Sequence, residues 1–299
     1  MLRLGIVDFD SSHSLEFTRR FNHVGVDADQ CVDGARVVVG CPGKSLMQPE
    51  RIPGFTEQIE KCGVELVSDP AEMIGKIDAI LVLSICGKAH LDRVRPFFEA
   101  GLPAYVDKPF ACSLEDAEEI VRLSNEHSVP VFGSSALRYC EEVKAFQSRQ
   151  TVLGAVNGII SYGPAKRAEG NPGLFHYGIH PAEILLTVMG PGCEWVETTY
   201  TEAAELVTAG WPDGRIATLR GNRAGSKAYG FLAFCENAVI DQRLSARYAY
   251  RNLCQEMVKT FETGQPALPN EVTLEVVRFV LASLKSEENT GERVRLDSL

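Results

Sequence analysis

Through its first 135 residues the chain alternates short, apolar, β-branched runs with segments of helical period. No other feature narrows the fold as far, because strands separated by helices pair in parallel through right-handed crossovers. Strands are predicted at Leu2–Val7, Arg36–Val39, Val64–Val67, Ala79–Ile85, Ala104–Val106 and Val129–Phe132. The Ala79–Ile85 run is continuously apolar, as a strand covered on both faces must be. Helices are predicted across about Ser12–Asn22, near Thr56–Lys61, over His90–Ala100 with Gly101 as its stop, and behind Ser113. Asp69-Pro70 opens a short helix in the cap-then-proline pattern. Ser113 and Asp116 have capping-box spacing, with Leu114, Ala117, Val121 and Ser124 on one face. The fold class is α/β, built on a Rossmann-like, doubly wound parallel sheet.

Past about Arg138 the pattern changes. Val156–Tyr162 reads as a strand, a polar Gly/Pro stretch runs from Gly163 to Gly173, and a helix is predicted near His176–Met189. Glu194–Thr201, Arg215–Arg220, Lys227–Cys235 and Ala238–Gln242 follow as strands with turns between them. Two helices, near Arg251–Thr263 and Glu271–Ser286, end the chain. Successive strands without intervening helices predict an α+β domain with a largely antiparallel open sheet. The expected domains are residues 1–136 and 137–299.

The net charge of −10, with scattered basic residues, argues against a nucleic acid or an anionic membrane surface as partner. Nine dispersed cysteines, an odd number without a Cys-x-x-Cys pair, suggest reduced thiols. Residue 2 already begins a strand, which does not read as a signal peptide, and no apolar run approaches the roughly 18 residues of a membrane span. A cytoplasmic location is expected.

The chemistry gathers where strands end. In Ala104-Tyr-Val-Asp107-Lys108-Pro109-Phe110 a strand delivers a lysine and a proline stops it, which puts an amine at a carboxyl end, where open α/β sheets bind ligands. Taken with Ser134-Ser-Ala-Leu-Arg138-Tyr139 and His176-Tyr-Gly-Ile-His180, this segment resembles the Gfo/Idh/MocA family of NAD(P)-dependent sugar, inositol and polyol dehydrogenases. Asp107-Lys108-Pro109 stands where the family has Glu-Lys-Pro, and His176 and His180 where it has Asp-x-x-x-His. The likeness runs over nearly the whole chain.

Two segments depart from the family. Its Gly-x-Gly-x-x-Gly/Ala after the first strand is here Asp8-Phe9-Asp10-Ser11-Ser12-His13. Glycines there let a pyrophosphate approach the helix N-terminus, whereas carboxylates repel it and a short polar side chain caps the helix itself. After the second strand, Gly40-Cys-Pro-Gly43-Lys44-Ser45 lacks the acidic residue that holds ribose hydroxyls. Lys44 and Ser45 would suit a 2′-phosphate, and a polar turn explains them equally.

The resemblance implies a cofactor, NAD or NADP, near Asp8, Asp10, Ser11, Ser12, His13, Lys44, Ser45, Ser84, His90, Asp107 and Lys108. It makes Lys108 and His180 the proton-transfer pair, with His176 orienting substrate; histidine titrates near neutral pH. Arg138, Tyr139, Lys166 and Arg167 are candidate donors to substrate, and a surface role explains each of them equally well. His176, His180 and Glu183 have zinc-ligand spacing, but no metal is assigned. The expected function is oxidation or reduction at a sugar or polyol hydroxyl, in a homo-oligomer formed through the C-terminal sheet. Two alternatives stand beside it: glycoside cleavage by transient oxidation with a retained NAD, and a binding or regulatory module that has lost the nucleotide.

Overall fold

The computed structural model describes residues 1–299, which divide into two compact units. The first comprises Met1–Ser134 and Tyr250–Thr273, the second Ser135–Ala249 and Leu274–Leu299. The sequence expectation of a single boundary at 136/137 did not include the return of Tyr250–Thr273 to the first unit.

In the first unit the elements are β1 (Leu2–Val7), α1 (Ser12–Asn22), β2 (Ala35–Cys41), α2 (Ile52–Glu60), β3 (Glu65–Leu66), β4 (Ala79–Val82), α3 (His90–Glu99), β5 (Ala104–Val106), α4 (Leu114–Glu126) and β6 (Val131–Phe132). The strands form one six-stranded sheet in the order β3-β2-β1-β4-β5-β6, parallel throughout. That is the doubly wound arrangement expected from the βα alternation. Register brings the strand ends level: Val7 pairs with Cys41 and Val82, and Val82 with Val106. The loops beginning at Asp8, Pro42, Leu83 and Asp107 therefore leave the sheet along one edge.

β4 is fully buried along its length, as its apolar run requires. Asp69 caps a short 3-10 helix over Pro70–Met73, and Ser113 caps α4 through the Asp116 N–H. The buried stripe of α4 is Ala117, Ile120, Leu123 and Ser124, rotated from the expected one, with Leu114 and Val121 half-buried.

The second unit contains α5 (Glu141–Ser148), α6 (Gln150–Leu153), β7 (Val156–Pro164), α7 (Ile179–Met189), β8 (Trp195–Tyr200), β9 (Ala204–Gly210), β10 (Ile216–Asn222), β11 (Gly230–Cys235) and β12 (Val239–Arg243). Next come α8 (Ala249–Thr263), all but its first residue in the first unit, α9 (Asn270–Glu288), and β13 (Val294–Arg295). The seven-stranded sheet runs β12-β11-β7-β10-β9-β8-β13, antiparallel except for the parallel pair β7–β10. β9 and β13 were not anticipated. β9 reads Ala-Glu-Leu-Val-Thr-Ala-Gly, mostly residues of weak strand preference.

One face of this sheet packs on helices. Ser161 of β7 donates its hydroxyl to the Pro181 carbonyl of α7. Thr198 of β8 donates twice to α9, its hydroxyl to the Ser283 carbonyl and its backbone N–H to the Ser286 hydroxyl. The opposite face is uncovered, with Ile160, Leu206, Ile216 and Phe234 exposed.

The helix expected from His176 starts instead at Ile179, and His176 ends a 3-10 turn over Gly173–Phe175. Pro181 explains the shift. It has no N–H for the Tyr177 carbonyl, so it fits only within a first turn. That carbonyl accepts from His180 N, at 3.2 Å, instead.

Candidate active site

At the end of β1, Asp8 adopts φ 65°, the left-handed backbone that glycine prefers. The turn a glycine-rich loop would make is thus kept with a carboxylate in it. Asp8 Oδ2 accepts from the Ser84 hydroxyl at 2.5 Å and from Arg93 Nε at 2.8 Å. This ties the β1 loop to the β4 loop and to α3. Asp10 Oδ1 accepts from Ile85 N at 3.0 Å, and the Ser45 hydroxyl also bonds that carboxyl. Burial pushes the Asp10 carboxyl up from its ordinary value, chiefly by desolvation; the Ser45 and Ile85 bonds oppose this.

Ser11 caps α1, accepting from His13 N at 3.3 Å, and Ser12 is the first helical residue. His13 occupies the third glycine position of the pattern. Its Nδ1 lies 2.6 Å from Asp107 Oδ2, and its ring stacks on Phe17 and meets the edge of Tyr250. Tyr105 donates its hydroxyl to the other Asp107 oxygen at 3.0 Å. Burial opposes the Asp107 charge, but the adjacent His13, through charge and hydrogen bond, outweighs it and holds the carboxyl below its usual range. Lys108 follows, half-buried, and its bond to Pro109 is cis.

A cavity of about 230 Å³ opens over the ends of β1, β2 and β4. Three carboxylates line it, Asp8, Asp10 and Asp92, and so do three cations, Lys44, Lys88 and Arg93. The expected cofactor residues divide here. Asp8, Asp10, Lys44, Ser45 and Ser84 share the cavity; Ser11, Ser12, His13, His90, Asp107 and Lys108 do not line it. His90 is fully buried, with its ring nitrogens 3.2 and 2.9 Å from the Phe110 and Ser84 carbonyls, so it clasps the β4 and β5 loops together. Lys88, Asp92 and Arg93 escaped the sequence reading. Their signal was position alone, just behind a strand end.

In the second unit, Ser135 organises the histidine. Its hydroxyl lies 2.6 Å from His180 Nδ1, its backbone N–H donates to Glu183 Oε1 at 2.5 Å, and it caps the turn Ala136–Tyr139 through Leu137 N. Tyr229 meets the half-buried His180 ring edge-on at 5.5 Å. Arg138 is 7% exposed and its Nε donates to the buried Glu183 Oε2 at 3.1 Å. Arg167 bonds Glu205 and Glu287 and lies over the Tyr200 ring. Tyr139 is half-buried and Lys166 exposed. His176 is buried, edge-on to Tyr177, and outside α7.

Residues 48–134 match the model of an oxidoreductase family with an NAD-binding Rossmann fold, Gfo/Idh/MocA. That segment, under a third of the chain, is similar to the Rossmann part of the family. No curated protein sequence matches the chain. Its fold is that of scyllo-inositol dehydrogenase from Lactobacillus casei, with a TM-score of 0.82 at 16% identity over 99% of this chain and 98% of that one. The form of that enzyme with bound NAD(H) and scyllo-inositol gives 0.80 at 17%, covering 99% of both. A probable dehydrogenase from Thermotoga maritima gives 0.81 at 18%, again over 99% of each. The family match includes Lys108 and begins beyond the Asp8–His13 loop. The family whose model matches this segment is one of NAD-binding oxidoreductases. Lys44, Lys88 and Arg93 supply cationic charge suited to a dinucleotide's phosphates, while Asp8 and Asp10 replace the open backbone of a glycine loop.

Proposed function

We propose that the chain transfers hydride between NAD or NADP and a hydroxyl-bearing carbon of a sugar, inositol or related polyol. The observation that carries this reading is Lys108: it stands at the end of β5 in Asp107-Lys108-Pro109, inside the segment that matches the family. The inositol dehydrogenases among the similar folds support the substrate class.

The nicotinamide, when bound, supplies the hydride acceptor or donor. Lys44, Lys88 and Arg93 would hold the phosphates. The protein's share of the chemistry is proton movement and orientation. His180 takes the hydroxyl proton as the carbinol is oxidised and returns it in reduction, its ring held by the Ser135 hydroxyl. Lys108 donates to the reacting oxygen, and His176 orients the substrate. Arg138 and Arg167, already bound to carboxylates, drop out of substrate recognition in this reading. The uncovered face of the second unit's sheet would join copies of the chain.

A panel of inositols, sugars and sugar acids, assayed at 340 nm with NAD and with NADP, tests the proposal. Turnover on a polyol or its ketone is expected. Activity on glycosides without added nicotinamide, and none on free polyols with it, would contradict it.

A further inference from the structure

The cavity over β1, β2 and β4 already contains an anion, and the chain supplies it. Asp8 is 2% exposed, and its Oδ2 takes both the Ser84 hydroxyl and Arg93. Its Oδ1 is buried without a hydrogen-bond partner. The β2 loop is shaped around this side chain: Gly43 has φ 66°, and a β-carbon there would collide with Asp8 Oδ1. Asp10 takes the Ile85 N–H and the Ser45 hydroxyl, and Ser11 takes the His13 N–H at the start of α1. A phosphate at this switch point would seek these same donors.

We propose that Asp8 and Asp10 stand in for the diphosphate, so that a dinucleotide enters only by displacing the Asp8 carboxylate from Arg93 and is held as an exchangeable co-substrate. The proposal rests on the cofactor reading above and deepens it. A phosphate can bond Arg93 only as the charged bond to Asp8 breaks, which lowers net affinity without closing the site. A cofactor that leaves after each turnover suits net oxidation or reduction. A cofactor retained through glycoside cleavage would need the opposite design.

Proton linkage follows from the same geometry. Asp10 faces Asp8 on its own loop, Ser45 and Lys44 from the β2 loop, and Lys88, Asp92 and Arg93 from the α3 side of the cavity, and Arg51 bonds its backbone carbonyl. Burial already favours the neutral acid there. An arriving diphosphate favours it further, so binding takes up a proton and affinity rises as pH falls.

Calorimetric titration of the protein with NAD and with NADP tests this, comparing wild type, Asp8→Gly/Asp10→Gly, and the isosteric Asp8→Asn/Asp10→Asn in case the glycine pair does not fold. The expected result is no nucleotide retained by purified wild type, weak binding that strengthens on acidification, and roughly tenfold or tighter binding by either variant with the pH dependence lost. Nucleotide retained in stoichiometric amount by wild type, or variants no tighter than wild type, would overturn the proposal alone. Binding of NAD or NADP by none of the proteins would overturn the cofactor reading, and this proposal with it.

Discussion

Asp8 Oδ2 lies 2.8 Å from Arg93 Nε, joining the residue after β1 to α3 across the point where strand order reverses. A non-glycine residue with φ 65° is a strained conformer costing on the order of 1 kcal/mol. It persists because that backbone carries the carboxylate to Ser84 and Arg93. The strain, the ion pair and the missing side chain at Gly43 form one construction, which replaces a glycine loop with an acidic one.

Arg93→Met leaves the Asp8 carboxylate buried and without its charged partner. Removing one member of a buried pair costs about 3 kcal/mol, and the partial exposure of Arg93 puts this case at or below that figure. Adding Asp8→Asn restores part of the loss. Urea denaturation of the two single variants and the double variant measures the coupling; additive losses would show that the pair contributes nothing.

Two carboxyls of the first unit respond to pH in opposite directions. Asp107 has its folded value depressed below the unfolded one, about 3.9, so its contribution is present above that pH and fades as pH falls through the folded value. His13→Asn should flatten this acid-side loss. Asp10 is raised, so its contribution falls as pH rises from the unfolded value, about 3.9, through the folded one, above which the full cost is present. Asp10→Asn keeps an acceptor for Ile85 N and should stabilise the protein at pH 7 by about 1 kcal/mol. Denaturation midpoints between pH 3 and 8 check both signs.

The hydroxyl of Ser135, 2.6 Å from His180 Nδ1, sets the orientation of the ring. Ser135→Ala should lower kcat roughly tenfold or more with little change in KM, and displace the pH–rate profile. Ser135→Thr should recover most of the activity. An unchanged profile in the alanine variant would remove His180 from proton transfer or Ser135 from its support.

Ile216 and Phe234 flank Gly158 on the uncovered face of the second unit's sheet, exposed by 59% and 39%. If copies of the chain join there, Ile216→Glu/Phe234→Glu should reduce the mass in solution to that of one chain, as light scattering would show. A wild type that is already monomeric, or an unchanged oligomer, would locate no interface on this face.

The sheet of the first unit was legible because its apolar runs are short, β-branched and separated by capped helices. The caps at Asp69 and Ser113 could be read directly, since each is a local hydrogen-bond problem with few solutions. At α1, Asp10 and Ser11 were equal candidates, and strand ends were displaced by up to three residues, as with Ile85 for Val82. β9 was not, because its Ala and Gly positions pack by virtue of neighbouring strands and carry no strong preference of their own. The start of α7 was misplaced although Pro181 marks it, since apolar spacing alone extends the helix to His176. Within the site, residue types pointed to Lys108 and His180 by pattern. The commitment of Arg138 to Glu183 and of Arg167 to Glu205 and Glu287 joins residues 38 to 120 positions apart, as does Asp8 to Arg93 at 85, and no local pattern encodes such pairs.

The most direct test is turnover by Lys108→Ala, with folding checked by circular dichroism and NAD(P) binding by calorimetry. Loss of a group that acts on the reacting oxygen should lower kcat by about a thousandfold while the fold and dinucleotide binding remain. A folded variant that turns over its polyol at close to the wild-type rate would contradict the assignment.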